Sequence, residues 1–424
     1  MRDTIFALSS GAPPAAIAVI RISGPNARIA MEEIAGGVPP PRRSSLRTLR
    51  DRAGAVLDRA VVLWFEGPRT ATGEDLVELH CHGGLAITRA VERALGAIDG
   101  LRAAEPGEFT RRAFENGRID LAEAEGLADL LAAETELQRL SAQENFGGSL
   151  SRSVAQWRKR LIDISAGLEA LMDFSDEDDV AVDLSDIVTQ AKALRAELEK
   201  VLGRPSVERL RNGVRVVLAG PPNSGKSSLF NTLLEDDAAI VSATAGTTRD
   251  TLERSVALDG VPIVLVDTAG VHEESQDEIE RIGIERARTQ FERADILLWF
   301  GPVSERPAGA ITVRSKSDMN IDPRGQADFN VSSVTGNGIR ELVDSLARRS
   351  RSMLPKPGVA SLNERQQLYT QAAARNLAEI EDVQDPLIVA ESLRRTRVAF
   401  DSITGHGSTE AMLDTIFAGF CIGK

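Results

Sequence analysis

Cysteine, histidine and tyrosine are scarce in this chain of 424 residues, which contains two, four and one of them respectively. Cys81 and Cys421 lie far apart, so we expect reduced thiols rather than a disulfide framework. The segment His80-Cys81-His82 offers too few ligands for a metal centre, and no partner cluster is visible in the sequence. The scarcity of these residues therefore disfavours both a disulfide-stabilised fold and a metal centre at this segment.

Long apolar segments are missing as well. No uncharged apolar run is as long as a membrane-spanning helix requires, which is about 18 residues. The first ten residues also lack the basic-then-apolar order of a signal peptide. We therefore predict a cytoplasmic protein with no membrane partner.

Positive charge is outweighed by negative charge, and the formal net charge is −13. Such a chain binds nucleic acid poorly unless basic residues cluster locally. Ordinary solvated surface charge is the favoured interpretation of each of the three arginine clusters in the sequence. These clusters are Arg42, Arg43, Arg47 and Arg50; Arg111, Arg112 and Arg118; and Arg394, Arg395 and Arg397.

Hydrophobic patterns divide the chain into α/β and helical parts. Short apolar runs at 17–22, 61–65 and 75–80 predict strands, whereas 120–201 is rich in alanine, leucine and glutamate and predicts helices. Strand and helix patterns alternate from 214 to 346, and helical patterns return at 362–417. We predict a multi-domain fold, α/β plus all-α, in which an α/β domain is inserted into a helical domain. The expected boundaries are 1–118, 119–212, 213–346 and 347–424.

A glycine-bearing loop follows the apolar run at 214–219. Residues 220–227, Gly-Pro-Pro-Asn-Ser-Gly-Lys-Ser, match G-x-x-x-x-G-K-[ST] and precede a predicted helix at 228–234. Glycines let backbone N–H groups surround a phosphate, Lys226 supplies positive charge, and Ser227 offers a hydroxyl to Mg²⁺. We predict that this loop binds a nucleotide, and on this motif alone an ATPase remains possible. The expected contacts are Asn223, Ser224, Gly225, Lys226, Ser227 and Ser228.

Two further motifs occur in the order expected of a GTPase. The strand-like run 263–266 leads into Asp267-Thr-Ala-Gly270, where Asp267 is expected to hold Mg²⁺ through water and Gly270 to sense the γ-phosphate. Residues 246–250, Gly-Thr-Thr-Arg-Asp, resemble a switch loop in which Thr248 is a second Mg²⁺ ligand. The correct order and strand context of these motifs predict a P-loop GTPase domain.

Base selection is predicted to depend on Ser315-Lys316-Ser317-Asp318, which resembles the N/T-K-x-D guanine signature. Asp318 is expected to accept hydrogen bonds from guanine, and Lys316 to lie along the base. Ser315 replaces the usual asparagine, so we expect a weaker tie to the phosphate loop and a lower nucleotide affinity. Ser332 and Ser333 resemble the loop that contacts the guanine carbonyl.

The connection after the strand at 296–300 is short. Only about ten residues separate it from the next strand at 311, which is at the lower limit for a helical crossover. We therefore predict that one peripheral helix of the GTPase domain is missing or very short.

The whole chain resembles the MnmE (TrmE) family of tRNA modification GTPases. The resemblance is carried by motifs that other GTPases lack, and these are more specific than the phosphate loop. They are Asp3-Thr-Ile5, Arg21-Ile-Ser-Gly24, Gly73-Glu-Asp75, Pro106-Gly-Glu-Phe-Thr110, Asn116-Gly-Arg-Ile-Asp120 and Phe420-Cys-Ile-Gly-Lys424.

This resemblance implies an N-terminal α/β domain that dimerises and binds a 5-formyltetrahydrofolate-type cofactor, a helical domain, and an inserted GTPase domain. It implies that the protein acts with the flavoprotein MnmG on tRNA, where the pair installs an aminomethyl-type group at carbon 5 of the wobble uridine. The implied folate contacts are Arg21, Glu78, Arg118 and Lys424, with Arg118 in place of a commoner lysine.

The resemblance also implies K⁺-dependent hydrolysis without an arginine finger, driven by association of two GTPase domains. The implied K⁺ ligands are Asn223, Ser242, Thr244 and Thr247, of which Ser242 and Thr247 also belong to the GTP site. Glu280, ahead of Arg281-Ile-Gly283, is the implied catalytic residue; an extra residue in this segment keeps Glu278 as the alternative. Cys421 is either a reactive thiol or a buried small side chain, and we favour the second.

One alternative from another functional class remains. It is a GTP-dependent RNA- or ribosome-binding switch without modification activity. Such a switch needs neither a folate domain nor the terminal Cys-Ile-Gly-Lys, so folate binding discriminates between the two. A degenerate family member is a third possibility, kept open by Ser315 and the short connection.

Overall fold

The computed structural model describes residues 3–173, 183–235, 239–241, 253–267, 291, 293–319, 326–356, 358–359, 361–383, 385–407 and 409–423. The chain separates into two compact units. The first comprises Met1–Ala128 and Asp401–Lys424, and the second comprises Asp129–Phe400. This separation is not the four-part division expected from the sequence, which stays a prediction.

A six-stranded sheet forms the centre of the first unit, in the order β3-β4-β5-β2-β1-β6. Neighbouring strands are antiparallel except β1 and β6, which are parallel. The strands are β1 (Thr4–Leu8), β2 (Ile17–Ser23), β3 (Ser45–Arg50), β4 (Val56–Phe65), β5 (Leu76–His82) and β6 (Leu101–Ala103).

Alternation along these strands gives the sheet one face that packs under helices. In β4, Ala60, Val62 and Trp64 are buried, whereas the residues between them are more exposed. The buried face packs against α1 (Ala27–Ala35) and α2 (Leu85–Gly96), whose apolar stripes face the sheet. The sequence predicted β2, β4 and β5, with boundaries that differ by a few residues.

The C-terminal segment completes a second small core in the same unit. Phe417 and Phe420 pack with Leu121 and Phe114, which belong to α4 (Leu121–Ala132) and α3 (Glu108–Glu115). Ile422 forms an isolated antiparallel bridge with Pro106. The Pro106-Gly-Glu-Phe-Thr motif is therefore adjacent in space to the described part of the C-terminal motif, Cys421-Ile-Gly423.

The second unit contains a seven-stranded mixed sheet in the order β13-β12-β11-β7-β10-β9-β8. Its central strands are parallel, whereas β9 pairs antiparallel with β10, and β8 at the edge pairs antiparallel with β9. The strands are β7 (Val214–Ala219), β8 (Ala239–Val241), β9 (Glu253–Leu258), β10 (Val261–Asp267), β11 (Ile296–Trp299), β12 (Ile311–Arg314) and β13 (Phe329–Asn330). Helices α9 (Lys226–Glu235) and α10 (Ile339–Met353) contribute to its core.

Helices predominate in the rest of the second unit, as the composition predicted. They are α5 (Glu136–Phe146), α6 (Ser149–Asp173), α7 (Leu184–Leu202), α8 (Val207–Asn212), α11 (Glu364–Glu379) and most of α12 (Pro386–Thr404); α13 (Glu410–Ala418) belongs to the first unit. Capping boxes begin α5 and α11, where Thr135 pairs with Gln138 and Asn363 with Gln366. Trp157 of α6 packs on Phe400 of α12.

The connection between β11 and β12 contains only a short 3₁₀ turn, Val303–Glu305. The prediction of a missing or very short helix is therefore confirmed. The Trp299 indole donates a hydrogen bond to the Pro302 carbonyl at 3.0 Å, and Gly301 lies against the ring, so the short connection folds onto Trp299.

Candidate functional site

The phosphate loop connects β7 to α9 at the carboxyl end of the central strands. Gly220 has φ +145° and lies against the Phe300 backbone, where a Cβ atom would come within 2.9 Å of the Phe300 Cβ. Asn223 and Gly225 also have positive φ, at 56° and +94°. These conformations explain the glycines, because the loop turns tightly before the helix starts at Lys226.

Lys226 and Ser227 lie at the start of α9 and are directed toward β10. The Lys226 ammonium is buried and donates to the Gly220 and Pro221 carbonyls at 2.9 and 2.8 Å. Burial lowers the pKa of Lys226, and the charge of Asp267 opposes that shift. Ser227 donates to an Asp267 carboxylate oxygen at 2.7 Å. The two expected Mg²⁺-associated side chains therefore meet beside one buried cation.

The predicted base-recognition loop lies beside the phosphate loop. Lys316 donates from Nζ to the Asn223 carbonyl at 3.2 Å. Asp318 accepts a hydrogen bond from the buried Ser332 hydroxyl at 2.6 Å, and that bond holds the pKa of the Asp318 carboxyl below its ordinary value. Asp318 is therefore held as an exposed carboxylate, the form that accepts hydrogen bonds. Ser333 follows Ser332 and is half-buried, and Ser228 is exposed on α9.

Ser315 retains a side-chain tie to the phosphate loop despite replacing asparagine. Its hydroxyl donates to the Ser224 carbonyl. A Cβ atom at Gly225 would lie 2.7 Å from the Ser315 Cβ, so the two loops are in close contact. The expected tie is thus present as one hydroxyl bond, and the small side chain is matched to this close approach.

Two of the predicted folate contacts meet on the sheet of the first unit. Arg21 of β2 and Glu78 of β5 are direct cross-strand partners, and the guanidinium donates to Glu78 Oε1 at 2.8 and 3.2 Å. Burial raises the pKa of Glu78, but the hydrogen bonds and charge of Arg21, with a contribution from His80, hold it below its ordinary value. Glu78 is therefore a half-buried carboxylate held in place by an arginine.

Arg118 lies elsewhere on the same unit. It is exposed, and its Cγ would be 3.2 Å from a Cβ added at Gly73, the glycine that precedes β5. The structure thus places Arg118 beside the turn into the strand that carries Glu78. It does not pair Arg118 with Arg21 or Glu78.

Several predicted site residues lie outside the described residues. They are Ser242, Thr244, Thr247, Thr248, Gly270, Glu278, Glu280 and Lys424. Their assigned roles stay predictions.

Two expectations are wrong. Cys421 is exposed, whereas a buried small side chain was favoured. The segment that carries it contributes Phe420 to the core, so Cys421 faces outward. Arg112 is not solvated surface charge, because it is only 5% exposed and binds Glu74 and Glu108 at 3.1 and 3.0 Å.

The Arg112 network explains motifs that the sequence left without a structural role. Glu74 comes from Gly73-Glu-Asp75, Glu108 from Pro106-Gly-Glu-Phe-Thr110, and Ser23, which donates to Glu74 at 2.8 Å, from Arg21-Ile-Ser-Gly24. The sequence contained a signal for this network, because a buried arginine needs acidic partners. Two of the motifs each supply a glutamate, and the third supplies a serine that binds one of them. The network joins three motifs that lie far apart in the chain.

The histidines beside Cys81 bind separate carboxylates. His82 Nδ1 lies 2.7 Å from Asp58 Oδ1, whereas His80 Nε2 lies 3.3 Å from Glu78 Oε2. Across the described ranges, no group of three or more His, Cys, Asp or Glu side chains is arranged to hold a metal ion. No helix in these ranges is long and apolar enough to cross a membrane.

A strand, glycine loop and helix that present Lys226 and Ser227 to Asp267, beside a loop bearing Asp318, define a P-loop GTPase domain. Two family descriptions match the chain: "GTP-binding protein TrmE N-terminus" over residues 4–118 and "MnmE helical domain" over residues 121–421. The tRNA modification GTPase MnmE of Erythrobacter litoralis is 58% identical over 423 residues, and that of Novosphingobium aromaticivorans is 54% identical over 440 residues. Each covers 100% of both chains.

The chain belongs to the MnmE family of tRNA modification GTPases. Among solved structures, the G domain of the T. maritima FeoB iron transporter matches 32% of this chain and 98% of that chain. The identity is 25% and the TM-score 0.24, so the family assignment rests on the sequence relatives.

Proposed function

We propose that this protein hydrolyses GTP with Mg²⁺ and K⁺ and, with the flavoprotein MnmG, modifies carbon 5 of the wobble uridine in tRNA. A folate of the 5-formyltetrahydrofolate type supplies the one-carbon unit. The protein works as a homodimer through its N-terminal domain, and GTP-driven association of two GTPase domains drives the cycle. Its domains follow the predicted boundaries 1–118, 119–212, 213–346 and 347–424.

One observation carries the GTPase part of this proposal: Lys226, Ser227 and Asp267 converge at the end of β7 and β10. The Lys226 ammonium donates hydrogen bonds to two carbonyls of the phosphate loop. It therefore lies where it would bind phosphate oxygens of a nucleotide held by that loop. The Ser227 hydroxyl and the Asp267 carboxylate are both oxygen ligands suited to Mg²⁺ and its water shell. Bound Mg²⁺ would neutralise charge on the β- and γ-phosphates.

Guanine selection is assigned to Asp318, which Ser332 orients from the buried side. Adenine lacks the adjacent ring N–H and amino donors from which a carboxylate accepts hydrogen bonds at this position. Bound adenine would therefore leave the Asp318 carboxylate without these partners, which disfavours ATP. Lys316 lies against the phosphate loop through Asn223 and links base recognition to phosphate binding. We assign K⁺ to Asn223 with Ser242, Thr244 and Thr247, and orientation of the attacking water to Glu280.

The folate part is supported by the Arg21–Glu78 pair. A pterin presents N–H groups that a fixed carboxylate can accept, and Glu78 is half-buried and ionised. Arg118, beside the turn into β5, is exposed and is suited to the carboxylates of a folate tail. We assign Lys424 to the same tail.

The test is GTP turnover by the purified protein in KCl and in NaCl at equal ionic strength, with ATP as control. We expect fast turnover in K⁺, slow turnover in Na⁺, and none with ATP. Equal turnover in both salts would overturn the K⁺ assignment, and ATP turnover would overturn the role of Asp318. In a second arm, isothermal calorimetry with 5-formyltetrahydrofolate tests the folate assignment independently of the GTPase assignment. Absence of folate binding would leave the GTPase assignment intact.

The modification step needs its own readout. Nucleoside analysis of tRNA from cells that lack this protein is expected to show unmodified carbon 5 at the wobble uridine, restored by the wild-type chain. A Glu280→Ala variant is expected to bind nucleotide normally but to fail in turnover and in restoration. Full restoration by that variant would contradict the coupling of hydrolysis to modification.

A further inference from the structure

An arginine-rich edge borders the sheet of the first unit. Between Arg42 and Arg69 the sequence has seven arginines but only three acidic residues, in a chain whose net charge is −13. We call this set the arginine edge. Its members are Arg42, Arg43, Arg47, Arg50, Arg52, Arg59 and Arg69.

The arginine edge follows β3, which is the terminal strand of the sheet. Arg43 precedes the strand, and Arg47 lies within it, paired with the buried Ala60. Arg59 of the neighbouring β4 is paired with Thr48, so Arg47 and Arg59 lie on opposite faces of the sheet at this edge. Arg43 and Arg59 are exposed and Arg47 is half-buried. At about 3.3 Å per residue, the arginines of β3 and its approach extend over roughly 20 Å along one border of the sheet.

Two of the three acidic residues of this segment, Asp51 and Asp58, are committed to other contacts, and the third, Glu66, is exposed just after β4. Asp58 is buried and accepts hydrogen bonds from the His82 backbone and imidazole. Asp51 accepts from the Ala55 backbone in the β3–β4 turn. These carboxylates therefore leave most of the arginine charge at the edge uncompensated.

The arginines themselves divide into held and free groups. Arg42 lies over the Phe65 ring at 5.6 Å and donates to the Arg69 carbonyl, and Arg52 approaches Glu33 at 3.7 Å. The guanidinium groups of Arg43, Arg47 and Arg59 make no hydrogen bond or ion pair with another described residue. Three donor-rich groups are thus available to an external anion.

We infer that the arginine edge is a binding surface for the phosphate backbone of tRNA. Arginine is suited to phosphate because its guanidinium donates two parallel hydrogen bonds, and several such groups spread along one strand edge suit a repeating polyanion better than a single small ligand. Contacts of this kind to phosphate position RNA without reading its sequence. This inference rests on the proposed function in tRNA modification.

A second explanation exists for charge at this place. Arginines on a terminal strand also prevent edge-to-edge pairing with another sheet. The two explanations predict different behaviour: edge protection gives self-association on removal of charge, whereas an RNA surface gives a change in the salt dependence of tRNA binding.

The test is a triple variant, Arg43→Gln/Arg47→Gln/Arg59→Gln, compared with a matched control, Arg28→Gln/Arg139→Gln/Arg394→Gln. The control removes the same charge from exposed arginines that are already paired with Glu32, Glu136 and Glu391 on their own helices. The dissociation constant for tRNA is measured by fluorescence anisotropy over a range of KCl concentrations. GTP turnover and the unfolding midpoint are measured on every variant.

The slope of log affinity against log salt concentration is negative. We expect its magnitude to decrease by about 2 to 3 in the edge variant, since each lost phosphate contact removes roughly 0.7 to 0.9. The control slope is expected to stay near wild type, and GTP turnover to be unchanged in both. An Arg→Lys triple at the same positions is expected to retain most of the slope, because the charges remain. If the glutamine triple does not fold, Arg43→Gln alone is expected to lower the slope by about one third of that amount.

An edge variant whose slope matches the control overturns the inference, and so does one that self-associates with normal tRNA affinity. Failure of the proposed function is recognised separately. In that case the wild-type chain restores no wobble modification, whatever its affinity for tRNA. If the wild-type chain and the edge variant both restore modification with the same tRNA requirement, only the inference about the arginine edge is wrong.

Discussion

The nucleotide site and the proposed folate site are built in different ways. At the phosphate loop, residues 223–228 are consecutive, and one strand–loop–helix connection positions all of them. On the N-terminal sheet, Arg21 and Glu78 are 57 residues apart and meet only because β2 and β5 pair in one register. A site of the first kind tolerates changes in distant packing, whereas a one-residue slip in register would separate the folate pair entirely.

The strongest test of this contrast removes the buried cation of the phosphate loop. We expect Lys226→Ala to lower kcat/KM for GTP by about 10²- to 10³-fold, the range for loss of one preorganised charge donor to a transferring group. Folate affinity is expected to be unchanged, because Lys226 belongs to the other unit. Steady-state turnover and calorimetry with folate measure the two effects.

Lys159→Ala is the control, since Lys159 is exposed on α6. A parallel loss of folate affinity in Lys226→Ala would show that the two sites are not built independently.

The close approach between the two nucleotide loops gives the next largest effect. Gly225→Ala forces a residue with φ +94° to carry a Cβ atom 2.7 Å from the Ser315 Cβ. We expect GDP and GTP affinity to fall by about 10- to 100-fold, from backbone strain of about 1–3 kcal/mol and displacement of Ser315. Titration with a fluorescent nucleotide measures the loss.

Gly260→Ala is a matched control for the strain alone. Gly260 has φ +73°, but a Cβ atom there would meet nothing within 4 Å. We expect this variant to lose stability without losing nucleotide affinity. Equal affinity losses in both variants would mean that Gly225→Ala acts through general loss of stability and not through the contact with Ser315.

The proposed folate contacts Arg21 and Glu78 are tested through the pH dependence of folate affinity. In the wild type the Glu78 pKa lies below its ordinary value, because Arg21 outweighs the effect of burial. The stabilisation that this carboxylate provides is therefore present above its unfolded-state pKa and is lost as pH falls through the folded-state pKa. In Arg21→Gln, burial remains and the guanidinium is gone, so the pKa rises.

We accordingly expect folate affinity of Arg21→Gln to decline at a higher pH than that of the wild type, and to be about tenfold weaker at neutral pH. Calorimetry between pH 5 and 8 measures both changes, with Arg28→Gln as the control from an exposed pair on α1. A profile identical to wild type would remove Glu78 from the folate site.

The same contrast shows what could be predicted from sequence. Strand β7 and the phosphate loop were predicted because an apolar run and glycine spacing are local signals. The short connection after β11 was also predicted, from chain length alone. The burial of Arg112 and the exposure of Cys421 were misjudged because they depend on packing between distant segments. These segments are about 40 residues apart for Arg112 and about 310 for Cys421. No local pattern reports such contacts, although the motifs that supply them are visible.

The smallest expected effect concerns the residue that replaces the usual asparagine. Ser315 holds the phosphate loop through one hydroxyl bond to the Ser224 carbonyl. Ser315→Ala removes that bond, and a neutral hydrogen bond contributes about 0.5–1.5 kcal/mol, so nucleotide affinity is expected to fall by roughly 2- to 12-fold. Thr232→Ala is the control, because the Thr232 hydroxyl binds only the Ser228 carbonyl within the exposed part of α9. Unchanged affinity in Ser315→Ala would mean that the close packing of Gly225 alone joins the two loops. Within the GTPase domain itself, a locally encoded phosphate loop would then be joined to the base-recognition loop by packing between distant segments.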